Sequence, residues 1–252
     1  MTTTRKLMPL AALLLALASC GGSEEPAATG TAASTAPPPL PQGGEPFALD
    51  PADFVATIDN PYWPMAPGST WVYRETDGKD VQKVVVTVTD RTKSILGIEA
   101  TVVHDVVSQD GEVIEDTFDW FAQDRWGNVW YLGEDTTEYE DGKASTAGSW
   151  EAGVDGAQAG VAMPGQPGVG LAYRQEYYAG EAEDAGEILS LDEWVEVPFG
   201  AFDGVLMTKD WTPLEPDVLE HKFYVEGIGP VLALAVSGGS GREELLSFEP
   251  GG

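Results

Sequence analysis

Cysteine is nearly absent from this chain: Cys20 is the single one in 252 residues. With no second thiol there is no intrachain disulfide and no zinc–thiolate cluster. Histidine is almost as scarce. His104 and His221 are the two present, too few for most histidine-based metal or catalytic centres. Basic residues are also few, 13 Lys and Arg against 42 Asp and Glu, for a formal net charge of −29. A chain this acidic does not reach nucleic acid or anionic headgroups through charge, so no nucleic-acid partner is expected. Catalytic signatures are missing too. No G-x-S-x-G elbow is present. No D-x-D-x-D-G calcium loop is present either, the nearest approach being Asp124 to Asn128. The chain is not expected to be an enzyme.

The leading apolar run, Leu7 to Ala18, is about 12 residues long, whereas a membrane-spanning helix needs roughly 20. It follows Arg5 and Lys6 and ends in small residues, the anatomy of a secretory signal. Its end, Leu17-Ala18-Ser19-Cys20, resembles the lipobox of bacterial lipoproteins. That resemblance implies cleavage before Cys20 and acylation of Cys20, including palmitate-type chains, which leaves no free thiol. Two or more acyl chains hold a protein stably on a membrane, where one is marginal. Residues 1–19 are therefore expected to be a lipoprotein signal peptide. Residues 20–45, rich in Gly, Ala, Ser, Thr and Pro and without aromatics until Phe47, are expected to be a disordered tether. Residues 46–252 are expected to form a single β-rich domain. The expected location is extracytoplasmic, lipid-anchored to the bacterial membrane or cell envelope.

From residue 70 onward, two-residue alternation broken at turn residues predicts an all-β, mainly antiparallel fold. Trp71 and Tyr73 share one face of a strand ending at Thr76-Asp77-Gly78. Val84, Val86 and Val88 share a face of the next. Ile98, Ala100, Val102, His104 and Val106 share a face of the third, and Asp110-Gly111 marks its hairpin turn. A fourth strand covers residues 112–123, and the turn Arg125 to Asn128 leads to Val129-Trp130-Tyr131-Leu132. Residues 149–169 read as a long irregular crossing. Further strands fall near 171–178, 193–198, 204–211, 218–225, 230–236 and 243–248, with 181–189 either a short helix or a strand. Asp50-Pro51-Ala52-Asp53 is a short helix start, with Asp50 as its cap. About ten strands in hairpin order, with one or two short helices, predict a curved meander that closes into a half-barrel or barrel.

Three stretches carry a family resemblance: Pro67-Gly68-Ser69-Thr70-Trp71-Val72-Tyr73, Val197-Pro198-Phe199-Gly200-Ala201-Phe202, and Phe223-Tyr224-Val225-Glu226-Gly227-Ile228-Gly229-Pro230-Val231. In this order they resemble secreted bacterial lipoproteins common in actinobacteria. More distantly the pattern is similar to the lipoprotein carriers of the LolA/LolB type, half-barrels that hold acyl chains. The resemblance implies a curved antiparallel sheet and carries over no catalytic residue.

The chain contains eight Trp, eight Tyr and eight Phe. Tyr62 and Trp63 stand between prolines, Trp126 stands in a turn, and Trp150 stands in the glycine-rich crossing, the positions expected of pocket aromatics. His104, between Val102 and Val106 on its face, and His221, on a face with Leu219, Phe223 and Val225, are expected to face the same interior as Val84, Val86 and Val88. The candidate ligand-binding residues are His104, His221, Trp63, Trp126 and Trp150. Carboxylates crowd residues 134–141, and Glu138, Glu140 and Asp141 are the candidate metal ligands, with calcium the expected ion and no other cofactor. Glu115 and Asp119 fall on one strand face. The function these features imply is a non-enzymatic, membrane-tethered module that binds an apolar or amphipathic ligand in the concave face of its sheet. The alternative is a cation-binding or structural envelope module, and an enzyme comes third.

Overall fold

Alternating residues in a long ladder place every second side chain on the same face, and this periodicity organises the chain beyond Thr70. The computed structural model describes residues 36–140 and 142–252. Cys20, the residues expected to form a signal peptide and most of those expected to form a tether lie outside the described residues.

A one-turn 3-10 helix, Pro51–Asp53, opens at the predicted place, and Asp50 Oδ1 accepts the Ala52 N–H at 3.0 Å. Strand β1 (Phe54–Val55) follows, then β2 (Thr70–Asp77), β3 (Asp80–Ile95), β4 (Ile98–Gln109), β5 (Glu112–Asp124) and β6 (Val129–Glu140). Five short strands come next: β7 (Lys143–Ser145), β8 (Trp150–Glu151), β9 (Gln158–Met163), β10 (Ala172–Arg174) and β11 (Glu176–Tyr177). The chain ends in β12 (Ala185–Val197), β13 (Gly200–Trp211), β14 (Leu219–Val225), β15 (Gly229–Ser237) and β16 (Arg242–Glu249).

All sixteen strands join one antiparallel sheet, ordered β10-β12-β13-β14-β15-β16-β2-β3-β4-β5-β6-β9-β11. Two meanders, β12 to β16 and β2 to β6, are stitched together where β16 pairs with β2. The two ends of this order are neighbours in sequence. Residues 172–174 pair with β12 and residues 176–177 pair with β9, so one short segment meets both edges and nearly closes a barrel. At this seam Gly160 is obligatory, because a Cβ there would lie 2.1 Å from the Gln175 carbonyl oxygen.

The fold class matches the expectation, with more strands than the ten anticipated. Residues 149–169 are a correction: they contain β8 and β9, and Val161 and Met163 of β9 are fully buried. Small residues around them allow close strand approach and only looked like loop composition. Residues 181–189 lead into strand β12. The compact unit runs from Pro38 to Gly252, because the buried Arg174 guanidinium requires acceptors. It donates to the carbonyls of Gly43, Glu45 and Ala159, while its own N–H donates to Pro41 O at 2.7 Å. Phe47 then stacks on Trp130 at 5.3 Å.

The connection between β1 and β2 caps one end of the barrel. Asn60 Nδ2 donates to Gly127 O at 2.8 Å, and Gly227 N–H donates to Pro61 O at 2.7 Å, tying the loop to two turns at that end. From this loop Trp63 touches Phe121 on β5 and Tyr224 on β14, each with ring centroids 5.7 Å away. These strands are far apart in the ladder, so Trp63 spans the interior.

Candidate functional site

The barrel encloses a cavity of about 420 Å³ above this floor, within the size range of small-molecule sites. Cross-strand register decides what faces it. Trp71, Tyr73, Val84, Val86 and Val88 line one wall, Trp71 opposite Val86 and Tyr73 opposite Val84. The rings of Trp71 and Tyr73 are fixed from behind. Trp71 Nε1 donates to Ile228 O at 2.8 Å, and the Tyr73 hydroxyl donates to Pro230 O at 2.9 Å. Two of the stretches that carried the family resemblance are joined by these bonds.

The remaining wall is acidic. Asp105, Asp119, Glu134, Glu176, Asp184 and Glu243 line the cavity, with Lys222 as its one lining cation. Asp119 Oδ1 accepts from the Tyr131 hydroxyl at 2.7 Å, and Glu176 Oε2 accepts from Trp150 Nε1 at 3.1 Å. Lys222 Nζ lies 3.1 Å from Oδ2 of the buried Asp210, which also accepts from Gln175 Nε2 at 3.1 Å. Oδ1 of Asp105 is shielded from solvent and accepts no hydrogen bond.

This crowding moves the titrations. Burial raises Asp105 to about 8, with Asp119 and Glu243 adding like-charge repulsion. Burial also raises Glu134 to about 8, with Asp119 again adding to it. Glu243 rises to about 7 and Asp119 to about 6, both chiefly through loss of solvent. Burial raises Glu176 to about 8 and also raises Asp184, and each is held closer to its charged form by Lys222. Lys222 is raised, first by the attraction of Asp210. Carboxyls raised in this way can donate a hydrogen bond when protonated or balance a positive charge when ionised.

Trp63 is where a pocket aromatic was expected. Trp150 stands one layer back, buried, edge-on to Tyr131 at 5.3 Å and bonded to Glu176. Tyr62 is partly buried against the core. Trp126 does not line the cavity. It lies under Arg125 in the turn at the capped end, beside a second hollow of about 30 Å³. That turn is built on Asp124, whose oxygens accept from the Trp126 and Asn128 N–H groups, Asn128 Nδ2 and Trp130 Nε1.

Both histidines depart from the expected orientation. Val103 and Asp105 line the cavity, so Val102 and His104 face the other way. His104 stacks on Phe118 at 4.4 Å, and its Nε2 lies 2.8 Å from Asp116 Oδ1. Lys222 and Tyr224 likewise turn His221 outward, where it pairs with Lys209 and Leu234. Glu138 and Glu140 are exposed at the end of β6, and Asp141 lies outside the described residues. Among the described residues no group of three or more His, Cys, Asp or Glu is placed to hold a metal ion.

The acidic wall is what sequence reasoning missed. On β4 the faces Val102/His104/Val106 and Val103/Asp105/Val107 are about equally apolar, so alternation could not choose between them. A detectable signal did exist: Glu115 and Asp119 share a face, and the register sets Glu138 and Glu134 directly opposite.

No protein-family model matches the chain, and no curated protein matches it significantly. Among solved structures it is similar to a protein from Parabacteroides distasonis ATCC 8503, provisionally described as a lipoprotein. The identity is 11% and the TM-score 0.38, with 75% of this chain and 98% of that chain covered. A likeness this loose transfers neither a ligand nor an anchor.

Proposed function

We propose that this chain is a membrane-tethered extracytoplasmic binding module that takes an amphipathic ligand into its barrel and performs no chemistry on it. The cavity carries this reading. A filled barrel would interdigitate its inward side chains to crystal-like density, whereas this interior keeps about 420 Å³ between an apolar wall and an acidic one. The apolar wall and the Trp63 floor suit a hydrocarbon body, and the polar wall orients its other end. The lipobox at Leu17-Ala18-Ser19-Cys20 supports tethering through acyl chains on Cys20, with the Gly-, Ala- and Pro-rich segment after it as the spacer.

Binding is tested with N-phenyl-1-naphthylamine, whose fluorescence rises in apolar surroundings, added to the full-length chain carrying Cys20→Ser. The probe brightens on binding. Val86→Trp projects a large side chain into the cavity, abolishes the signal, and leaves the melting temperature close to the parent's. A dark parent together with a strongly destabilised Val86→Trp is the behaviour of a packed core, where overpacking costs about 1–3 kcal/mol, and defeats the proposal. Tethering is tested by palmitate labelling: the parent takes up label and Cys20→Ser does not. Label retained by Cys20→Ser defeats the anchor.

A further inference from the structure

Building on that binding reading, we infer that the polar end of the ligand is an organic cation, an amine or quaternary ammonium group attached to an apolar body. Register provides the first ground. On the inward face Asp119 stands opposite Glu134, Glu115 opposite Glu138, and Glu75 opposite Glu243. Like charges directly across a ladder are destabilising, and of these residues Asp119, Glu134 and Glu243 line the cavity itself. Lys222 relieves them only in part: it is engaged by Asp210 at 3.1 Å and favours the charged form of Glu243, and it leaves the Asp119–Glu134 pair without a cation. The second ground is Asp105, an acidic cavity-lining residue whose Oδ1 is shielded from solvent and has no donor. Buried acceptors are ordinarily satisfied, and a positively charged headgroup in the adjoining cavity would balance the carboxylate that this one leaves unpaired. The third ground is the company these acids keep. Trp63, Phe121, Tyr131 and Tyr224 line the same space, and aromatic faces attract ammonium groups within about 6 Å of the ring.

Two competing ligand classes fit less well. A bare metal ion needs several oxygens converging at about 2.3–2.6 Å, and the described residues offer no such group of three. The carboxylates are instead spread along the wall of a cavity far larger than an ion. A fatty acid or another anionic amphiphile would bring a further negative charge against six carboxylates.

The test titrates the full-length Cys20→Ser chain with octyltrimethylammonium, octanol and octanoate at about pH 8.5, where the raised carboxyls are largely ionised. Heat release and tryptophan fluorescence report binding. The cation binds at least about tenfold more tightly than octanol, and octanoate binds most weakly. The double variant Asp105→Asn, Glu134→Gln loses about tenfold in affinity for the cation and keeps its affinity for octanol. Octanol binding as tightly as the cation overturns the inference and leaves the cavity reading standing. No binding by any of the three overturns both. An equal loss of cation and octanol in the double variant means the carboxylates only shape the cavity, and also overturns the inference.

Discussion

The two faces of the ladder obey opposite rules. On the outer face of β2 and β16, Arg74 meets Glu244 at 2.9 Å, and Arg242 reaches the same carboxylate at 2.8 Å. On the outer face of β12 and β13, Lys209 meets Glu187 at 3.4 Å. One residue along from Arg74, on the inner face, Glu75 meets Glu243. The backbone geometry is the same on both faces, so strand pairing does not require the inner arrangement. Exposed pairs of opposite charge contribute about 0–1 kcal/mol, whereas like charges gathered in a desolvated cavity cost stability. An outer face arranged for pairing and an inner face arranged against it, on one set of strands, is the contrast on which the proposed cation site rests.

The strongest challenge to this contrast is Lys222, the inner face's one paired cation. Lys222→Met leaves the buried Asp210 without its ion pair; because the Lys222 side chain keeps about a third of its surface in solvent, the fold loses about 1–3 kcal/mol, as measured by urea unfolding at neutral pH. An outer-face counterpart, Arg74→Met, changes stability by less than about 1 kcal/mol. Equal losses from the two would erase the distinction between the faces.

Titration sharpens the comparison next. Unfolded carboxylates titrate near 4, whereas Asp105 and Glu134 titrate at about 8 in the folded cavity. Across that interval the folded state holds protons that the unfolded chain has released. The stability of the ligand-free protein is therefore greatest at the acid end and falls as pH rises through about 8. Melting curves between about pH 5 and 9 record the decline, and Asp105→Asn with Glu134→Gln flattens it. A parent whose melting temperature climbs from pH 5 to 8 contradicts the acidic-wall description.

Reversing one inner pair has a smaller effect. Glu75→Lys sets a cation opposite Glu243 and raises stability by about 0.2–1 kcal/mol near pH 8, with weaker octyltrimethylammonium binding. Lower stability at the same pH would mean that Glu75 is not held against Glu243. The smallest effect is expected from inorganic cations at the exposed acidic stretch that includes Glu138 and Glu140. If calcium occupies a specific site there, millimolar calcium raises the melting temperature slightly more than magnesium at equal ionic strength. Identical shifts from the two ions reduce the effect to screening of the chain's negative charge.

Much of the ladder was legible because local chemistry writes it. Asp77-Gly78 and Asp110-Gly111 supply the positive φ that tight hairpin turns need, with Asp110 and both glycines in that region. Val84, Val86 and Val88 recur at every second position, with Lys83, Thr87 and Thr89 among their neighbours, so their strand and its inward face could both be read. Trp63, held between prolines in a loop, was identifiable as a pocket aromatic because little else would keep a tryptophan there. Strand β9 was not legible: small residues that permit close packing have the same composition as a loop. The inward face of β14 was misleading, since Leu219, His221, Phe223 and Val225 form a more apolar set than Glu220, Lys222 and Tyr224, yet the polar set faces the cavity.

By itself, the sequence determined the strand-forming periodicity, the hairpin turns and the short capped turn at Asp50, because each depends on residues within a few positions of one another. The tertiary structure alone decided that residues 172–177 nearly close the barrel, that Trp63 forms its floor, and that Asp105 rather than His104 looks inward. Those outcomes depend on register between strands distant in sequence. A shift of one residue moves every side chain of a strand to the other face, and only the assembled ladder fixes that register.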